Sequence, residues 1–158
     1  RRRAAERREI RSPVGLAQPK DRTLAYADVK SAKAEENVLR LLFTDQKLIH
    51  GMEEQLPAAW FSAPVLRKIY ERVLELDRSG SLVDALAFEG QLETNEMSLL
   101  AGILEQGVPP GDHRAELREY INTIRLQRVK DGTLTQAGED PLLTFGRMKN
   151  QNAGGQTI

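Results

Sequence analysis

The sequence contains no cysteine, and that absence removes disulfides, thiolate zinc sites and cysteine nucleophiles together. Aromatic residues are scarce at 5%, so a core has to be built mainly from Leu, Ile, Val and Ala. Net charge is missing as well: 23 Lys plus Arg balance 23 Asp plus Glu. No whole-molecule field therefore draws the chain to nucleic acid or to an anionic membrane. No apolar run approaches the roughly 20 residues that a bilayer-spanning helix needs. No signal-peptide pattern opens the chain, because its first arginines are followed by more charge. The expectation from these absences is a soluble, cytoplasmic protein without membrane association, whose nucleic-acid contacts could only be local.

What is present reads as helix. With 158 residues, 40% of them hydrophobic and 29% charged, the chain can support a real core; a globule of this size buries roughly 70% of its extended surface. Residues 1–30 read as a basic flexible linker. Arg1, Arg2, Arg3, Arg7, Arg8 and Arg11 crowd its start, and Pro13, Gly15 and Pro19 interrupt any helical period. A weak nucleic-acid contact through these arginines is the local contact that the composition allows. Because the chain opens on Arg1-Arg2-Arg3 without Met, it is expected to be a piece of a larger protein.

From Ser31 onward Ala34, Val38, Leu41 and Leu42 recur at the spacing of one apolar helical stripe, which places Glu35, Glu36 and Arg40 on the wet face. A short helix near residues 45–50 should turn Leu48 and Ile49 inward. Trp60 and Phe61 are expected to plug the bundle. Ser62 ahead of Pro64 reads as the capped start of a helix carrying Val65, Leu66, Ile69, Tyr70, Val73 and Leu76. Ser81 to Asp84 resembles a capping box opening a short helix with Leu82, Leu86 and Phe88. Thr94 caps another with Met97, Leu99, Leu100, Ile103 and Leu104, closed by Gly107. Pro109-Pro110-Gly111 forms the clearest internal boundary. Asp112 then caps a long helix to about Lys130, and Asp140-Pro141 restarts a second one. No alternating run is long enough for a strand. The fold expected is all-α: a helical bundle over 31–111, a helical hairpin over 112–150 and a flexible tail over 151–158.

Chemistry has little to work with. His50 and His113 lie far apart, and neither has a second ligand at metal-site spacing. The pairs Glu35-Glu36 and Glu53-Glu54 are sequence neighbours, which on a helix point about 100° apart and read as solvated faces instead of shared acid–base sites. Phosphate-binding and nucleophile-elbow motifs are absent. Neither a catalytic residue nor a cofactor site is expected in this stretch. The informative feature lies near the carboxyl end. Leu142, Leu143, Phe145 and Met148 occupy three or more directions around about a turn and a half, so one partner helix cannot cover them all. They read as a docking surface, with Phe145 and Met148 as anchors and Arg125 and Arg128 as its charged rim.

Four short segments carry a resemblance. Residues 34–42, AEENVLRLL, followed by Asp45-Gln46-Lys47-Leu48-Ile49, are similar to the opening helices of the C-terminal domain of bacterial DnaG-type primases. Residues 61–70, FSAPVLRKIY, and 120–125, YINTIR, follow in that domain's order. The resemblance covers about residues 31–130. It implies a bundle and hairpin that dock on the hexameric replicative helicase, recruit primer synthesis to the replication fork and modulate the helicase. Zinc and a divalent metal would then belong to upstream parts of a nucleotidyltransferase, with the linker as tether. A pattern of the A-E-x-x-V-L-x-x-L kind also opens the N-terminal domain of the replicative helicase itself, which is the competing reading. The proline-broken basic lead-in and the lack of an ATPase module favour the primase over it. A small basic nucleic-acid-binding helical module is the third reading.

Overall fold

The computed structural model describes residues 18–134. Among them the secondary structure is helical throughout, with no strand. The chain divides into two compact units, residues 1–121 and 122–158.

In the first unit, α1 spans Val29–Thr44. Asp28 starts it by accepting a hydrogen bond from the Ser31 N–H at 3.0 Å, which satisfies one of the four donors that every helix start leaves open. A 3-10 turn over Gln46–Ile49 follows and buries Leu48 and Ile49 as expected. Gly51, at φ 79°, then allows a reversal into the short α2, Met52–Gln55, which the sequence pattern did not indicate. Next come α3, Pro64–Arg78, and α4, Thr94–Glu105; α5, His113–Lys130, begins in this unit, and its residues from 122 on belong to the second. Asp112 caps α5 through the Ala115 N–H at 3.1 Å.

The core forms around α1, which packs on α3, on α4 and on the Gln46–Ile49 turn. Val38, Leu39, Leu42, Leu66, Ile69 and Tyr70 are fully buried. Phe61 stacks on Tyr70, with ring centroids 4.5 Å apart, and the Tyr70 hydroxyl donates to the Leu56 carbonyl at 2.7 Å. One ring thus anchors both the aromatic stack and the segment after α2. Trp60, expected to plug the bundle beside Phe61, is only partly buried.

The largest departure from the pattern lies on α1 itself. Glu35, Glu36 and Arg40 are buried and do not form a wet face. The exposed side of α1 carries Lys30, Lys33 and Thr44; Glu35, Glu36 and Arg40 lie on its covered sides, and a charge taken out of water needs partners. Glu35 finds them at the start of α3: its carboxylate accepts from the Ser62 N–H at 2.9 Å, the Ser62 hydroxyl at 2.7 Å and the Ala63 N–H at 3.3 Å. It also accepts from the Ser31 hydroxyl at 2.6 Å. Ser62 was expected to cap α3; instead the N-cap residue is Ala63, without a capping side chain, and Glu35 supplies the oxygens from another helix. Arg40 does the converse at the end of α4. Its Nε donates at 2.8 Å to the carbonyl of Ile103, in the last turn, where carbonyls lack intrahelical donors. An anion therefore sits at one helix start and a cation at another helix end, the two arrangements that the peptide dipoles favour.

Two further caps differ in detail. Asp84 opens a 3-10 turn over Ala85–Phe88, not an α-helix, and accepts from the Ala87 N–H at 3.2 Å. At α4 the reciprocal box is formed by Glu93 and Glu96, and Thr94 is already the first helical residue.

Replacing Glu35 with Ala removes the acceptor for the Ser62 and Ala63 donors. The expected cost is about 2–3 kcal/mol of unfolding free energy, read from urea denaturation with an unchanged slope. Glu54→Ala, on an exposed position, should stay within about 0.5 kcal/mol; equal effects from the two would reject the capping role. A second expectation concerns alkali. Burial pushes the Tyr26 hydroxyl well above the usual tyrosine range, reinforced by its hydrogen bond to Glu36 and by the charges of Glu36 and Glu35. Burial does the same to Tyr70, with the charge of Glu53 adding to it. The folded state therefore keeps these protons longer than the unfolded chain does. Their contribution is complete below the ordinary tyrosine value of about 10 and is lost as pH climbs above it. The double variant Tyr26→Phe/Tyr70→Phe should lose less stability between about pH 9 and 12 than the unaltered chain, with urea midpoints as the readout.

Candidate functional site

Two surface features of the first unit stand out. The first is a cleft of about 640 Å³. Residues 18–24 form one wall, and the Asn95-to-Gln106 side of α4 forms the other, with Lys33 and Glu36 of α1 between them. The wall on the lead-in side is held by polar bonds. Tyr26 is buried and its hydroxyl donates to Glu36 at 2.5 Å. The Gln18 amide brackets Tyr26, accepting from its N–H at 2.7 Å and donating to its carbonyl at 3.1 Å. Asp21 accepts from Asn95 at 3.0 Å. Hydrogen bonds from the Thr23 hydroxyl and N–H, with a further one from Asn95, hold the Asp21 carboxyl below its ordinary range. Part of the stretch expected as linker, residues 18–28, is thus tied to the helical unit.

Behind this cleft, Arg40 joins the elements. Its Nη1 donates to Asn37 Oδ1, and its Nη2 lies 4.0 Å from Glu36. Burial draws the Arg40 guanidinium below its usual range, against the opposing pull of Glu36 and Tyr120. Glu35 and Glu36 hold different partners: Glu35 accepts from Ser31, Ser62 and Ala63, and Glu36 faces Tyr26 and Arg40.

The second feature is apolar. Leu82 is 67% exposed and Leu86 72%, beside a shallow groove of about 350 Å³ lined by Phe43, Leu82, Val83, Ala85 and Leu104 among others. A Gln46 clamp fixes this segment: its Nε2 donates to the Val83 carbonyl at 2.6 Å, and its Oε1 accepts from the Val83 N–H at 3.2 Å. Phe88 points inward instead, its ring 5.7 Å from that of Phe43. The i, i+4 spacing of Leu82 and Leu86 looks like a core stripe. In a run cut short by Gly80 and Gly90 no α-helix forms, and Val83 and Phe88 take the interior. The glycine punctuation was the signal available in the sequence.

The residues singled out beforehand fare unevenly. Leu142, Leu143, Phe145 and Met148 lie outside the described residues, as do the arginines at positions 1–11. Arg125 is partly buried and donates to Asn122 Oδ1 at 2.9 Å. Arg128 is buried, not part of a wet rim, and its Nε donates to Asp131 Oδ2 at 2.9 Å. Burial opposes ionisation of Asp131, but the hydrogen bonds from Thr133 and the charge of Arg128 prevail and hold its carboxyl below the ordinary range. His113 faces Asp45 at 3.9 Å. Among the described residues no group of three or more His, Asp or Glu comes together as a metal site, and no helix is long and apolar enough to cross a membrane.

Comparison with known proteins then separates the readings that the sequence pattern left in competition. The model of the DnaB-like helicase N terminal domain matches residues 27–125. No curated protein and no solved structure matches the chain. The family match overturns the resemblance to a primase C-terminal domain. The primase parent, its nucleotidyltransferase activity and the role of docking on a helicase from outside fall with it. The segments that carried that resemblance, residues 34–49, 61–70 and 120–125, all lie inside the matched stretch. The chain, with the match running from just before α1 into α5, belongs to the DnaB-like helicase N-terminal domain family.

Proposed function

We propose that the chain is a non-catalytic association module of a replicative helicase, acting in the cytoplasm at the replication fork, and that its work is to join protein to protein. The observation that carries this reading is the family match over residues 27–125, which takes in the buried charge row of α1 and the groove at Leu82. On this reading the helicase hexamer is the assembly to which the chain belongs, and other replication proteins are its external partners. The exposed side chains of Leu82 and Leu86, four residues apart, support an associating role, since large apolar side chains left in water are candidates for protein contacts. We assign that contact to a second copy of the chain, because homo-oligomers with symmetric interfaces are the commonest soluble assemblies.

Light scattering coupled to gel filtration tests this. The unaltered chain should self-associate at micromolar concentration. Leu82→Glu/Leu86→Glu should weaken that association about tenfold or more while leaving the helical circular dichroism unchanged. A chain that stays monomeric at high micromolar concentration would remove the self-association reading, and nucleotide hydrolysis by the purified chain would remove the non-catalytic one.

A further inference from the structure

Residues 18–26 meet the helical unit at two places and border a cleft between them. At one end Tyr26 is buried against α1, with its hydroxyl on Glu36 and its backbone held by the Gln18 amide. At the other, Asp21 accepts from Asn95 in the first turn of α4, and Asp21 is itself folded back onto Thr23. Between these anchors lies the cleft of about 640 Å³, with Pro19, Lys20 and Leu24 on one wall and Ser98, Leu99 and Gly102 on the other. A segment that borders so large a cleft lacks, on that side, the apolar contacts that would tie it to the stability of the whole unit.

The carboxyl end of the segment is marked by its neighbours. Asp28 is committed to α1 as its N-cap, Tyr26 is the last buried residue before it, and Ala27 between them is exposed. A pivot at Ala27 therefore leaves α1 intact. We propose that residues 18–26 form a strap that detaches about Ala27 and unravels in one step while α1, α3 and α4 stay folded, because a segment this short cannot keep its own turn and Gln18 bracket once its anchors let go. Opening uncovers Glu36 on α1 and the Ser98-to-Gly102 face of α4. Tyr26 is the latch: it supplies the strap's buried ring, and the bond from its hydroxyl to a carboxylate belongs to the stronger, charge-assisted class. Asn95 is the second catch. The inference stands on these anchors and the cleft, independently of the association proposed above.

Residue-resolved amide exchange on the full chain tests it. The Leu24 amide, bonded to the Asp21 carbonyl, and the amide at position 26, bonded to Gln18, report the strap. Those of Ile69 and Val73 on α3 report the folded unit. The two strap amides should share one opening constant, at least about 100-fold larger than that of the α3 pair and nearly independent of low denaturant. In Tyr26→Phe, which keeps the ring, and separately in Asn95→Ala, both strap amides should exchange about tenfold faster together. Strap amides that share the opening constant and denaturant slope of Ile69 and Val73 would overturn the proposal. So would a variant that moves neither strap amide, or only the nearer one.

Discussion

The first unit depends on a single helix that carries buried charge of both signs. Glu35 and Arg40 lie five positions apart on α1, yet one ends at the start of α3 and the other at the end of α4. Each meets backbone groups that a helix cannot satisfy internally. This arrangement fixes more than stability. A leucine core tolerates small slips of one helix against another, because dispersion contacts are non-directional and nearly interchangeable. A carboxylate holding the Ser62 and Ala63 N–H groups, and a guanidinium holding the Ile103 carbonyl, are satisfied in only one register. The apolar stripe drives α1 into the interior; the charges settle where it stops.

How much of this was legible follows from the physics each signal reports. The stripe Ala34, Val38, Leu41 and Leu42, the inward Leu48 and Ile49, and the α3 series from Val65 to Leu76 were readable because periodicity reports burial directly. Asp112 as cap of α5 was readable because capping is local. The reading failed where a side chain's partner is distant in sequence. Nothing near Glu35 announces that Ser62 lies 27 residues on and supplies its donors, so a charged residue beside an apolar stripe was assigned to water. Leu82 and Leu86 failed for the opposite reason: their spacing mimics a helix that the flanking glycines do not permit.

Function was less legible than fold, and for a related cause. The residues that suggested a primase domain are those that build α1, the start of α3 and the middle of α5, all of them bundle-forming. Patterns that specify packing recur wherever the same packing recurs, and they do not say which surface the bundle presents. The family match rests on the whole stretch of 27–125, which is why it could separate two domains that share an opening helix. Leu142, Leu143, Phe145 and Met148, expected from the pattern to form a docking surface, fall beyond both that stretch and the described residues.

Two glutamines have a part that their composition class hides. Gln46 on Val83 and Gln18 on Tyr26 each satisfy both the N–H and the carbonyl of one residue, doing with a side-chain amide what a neighbouring strand would do with its backbone. An amide carries no formal charge. Rising ionic strength weakens exposed ion pairs such as Lys68 with Glu96 or Arg78 with Glu53, but it leaves these two clamps their full grip. The loop that displays Leu82 is therefore tethered by a joint that brine does not loosen.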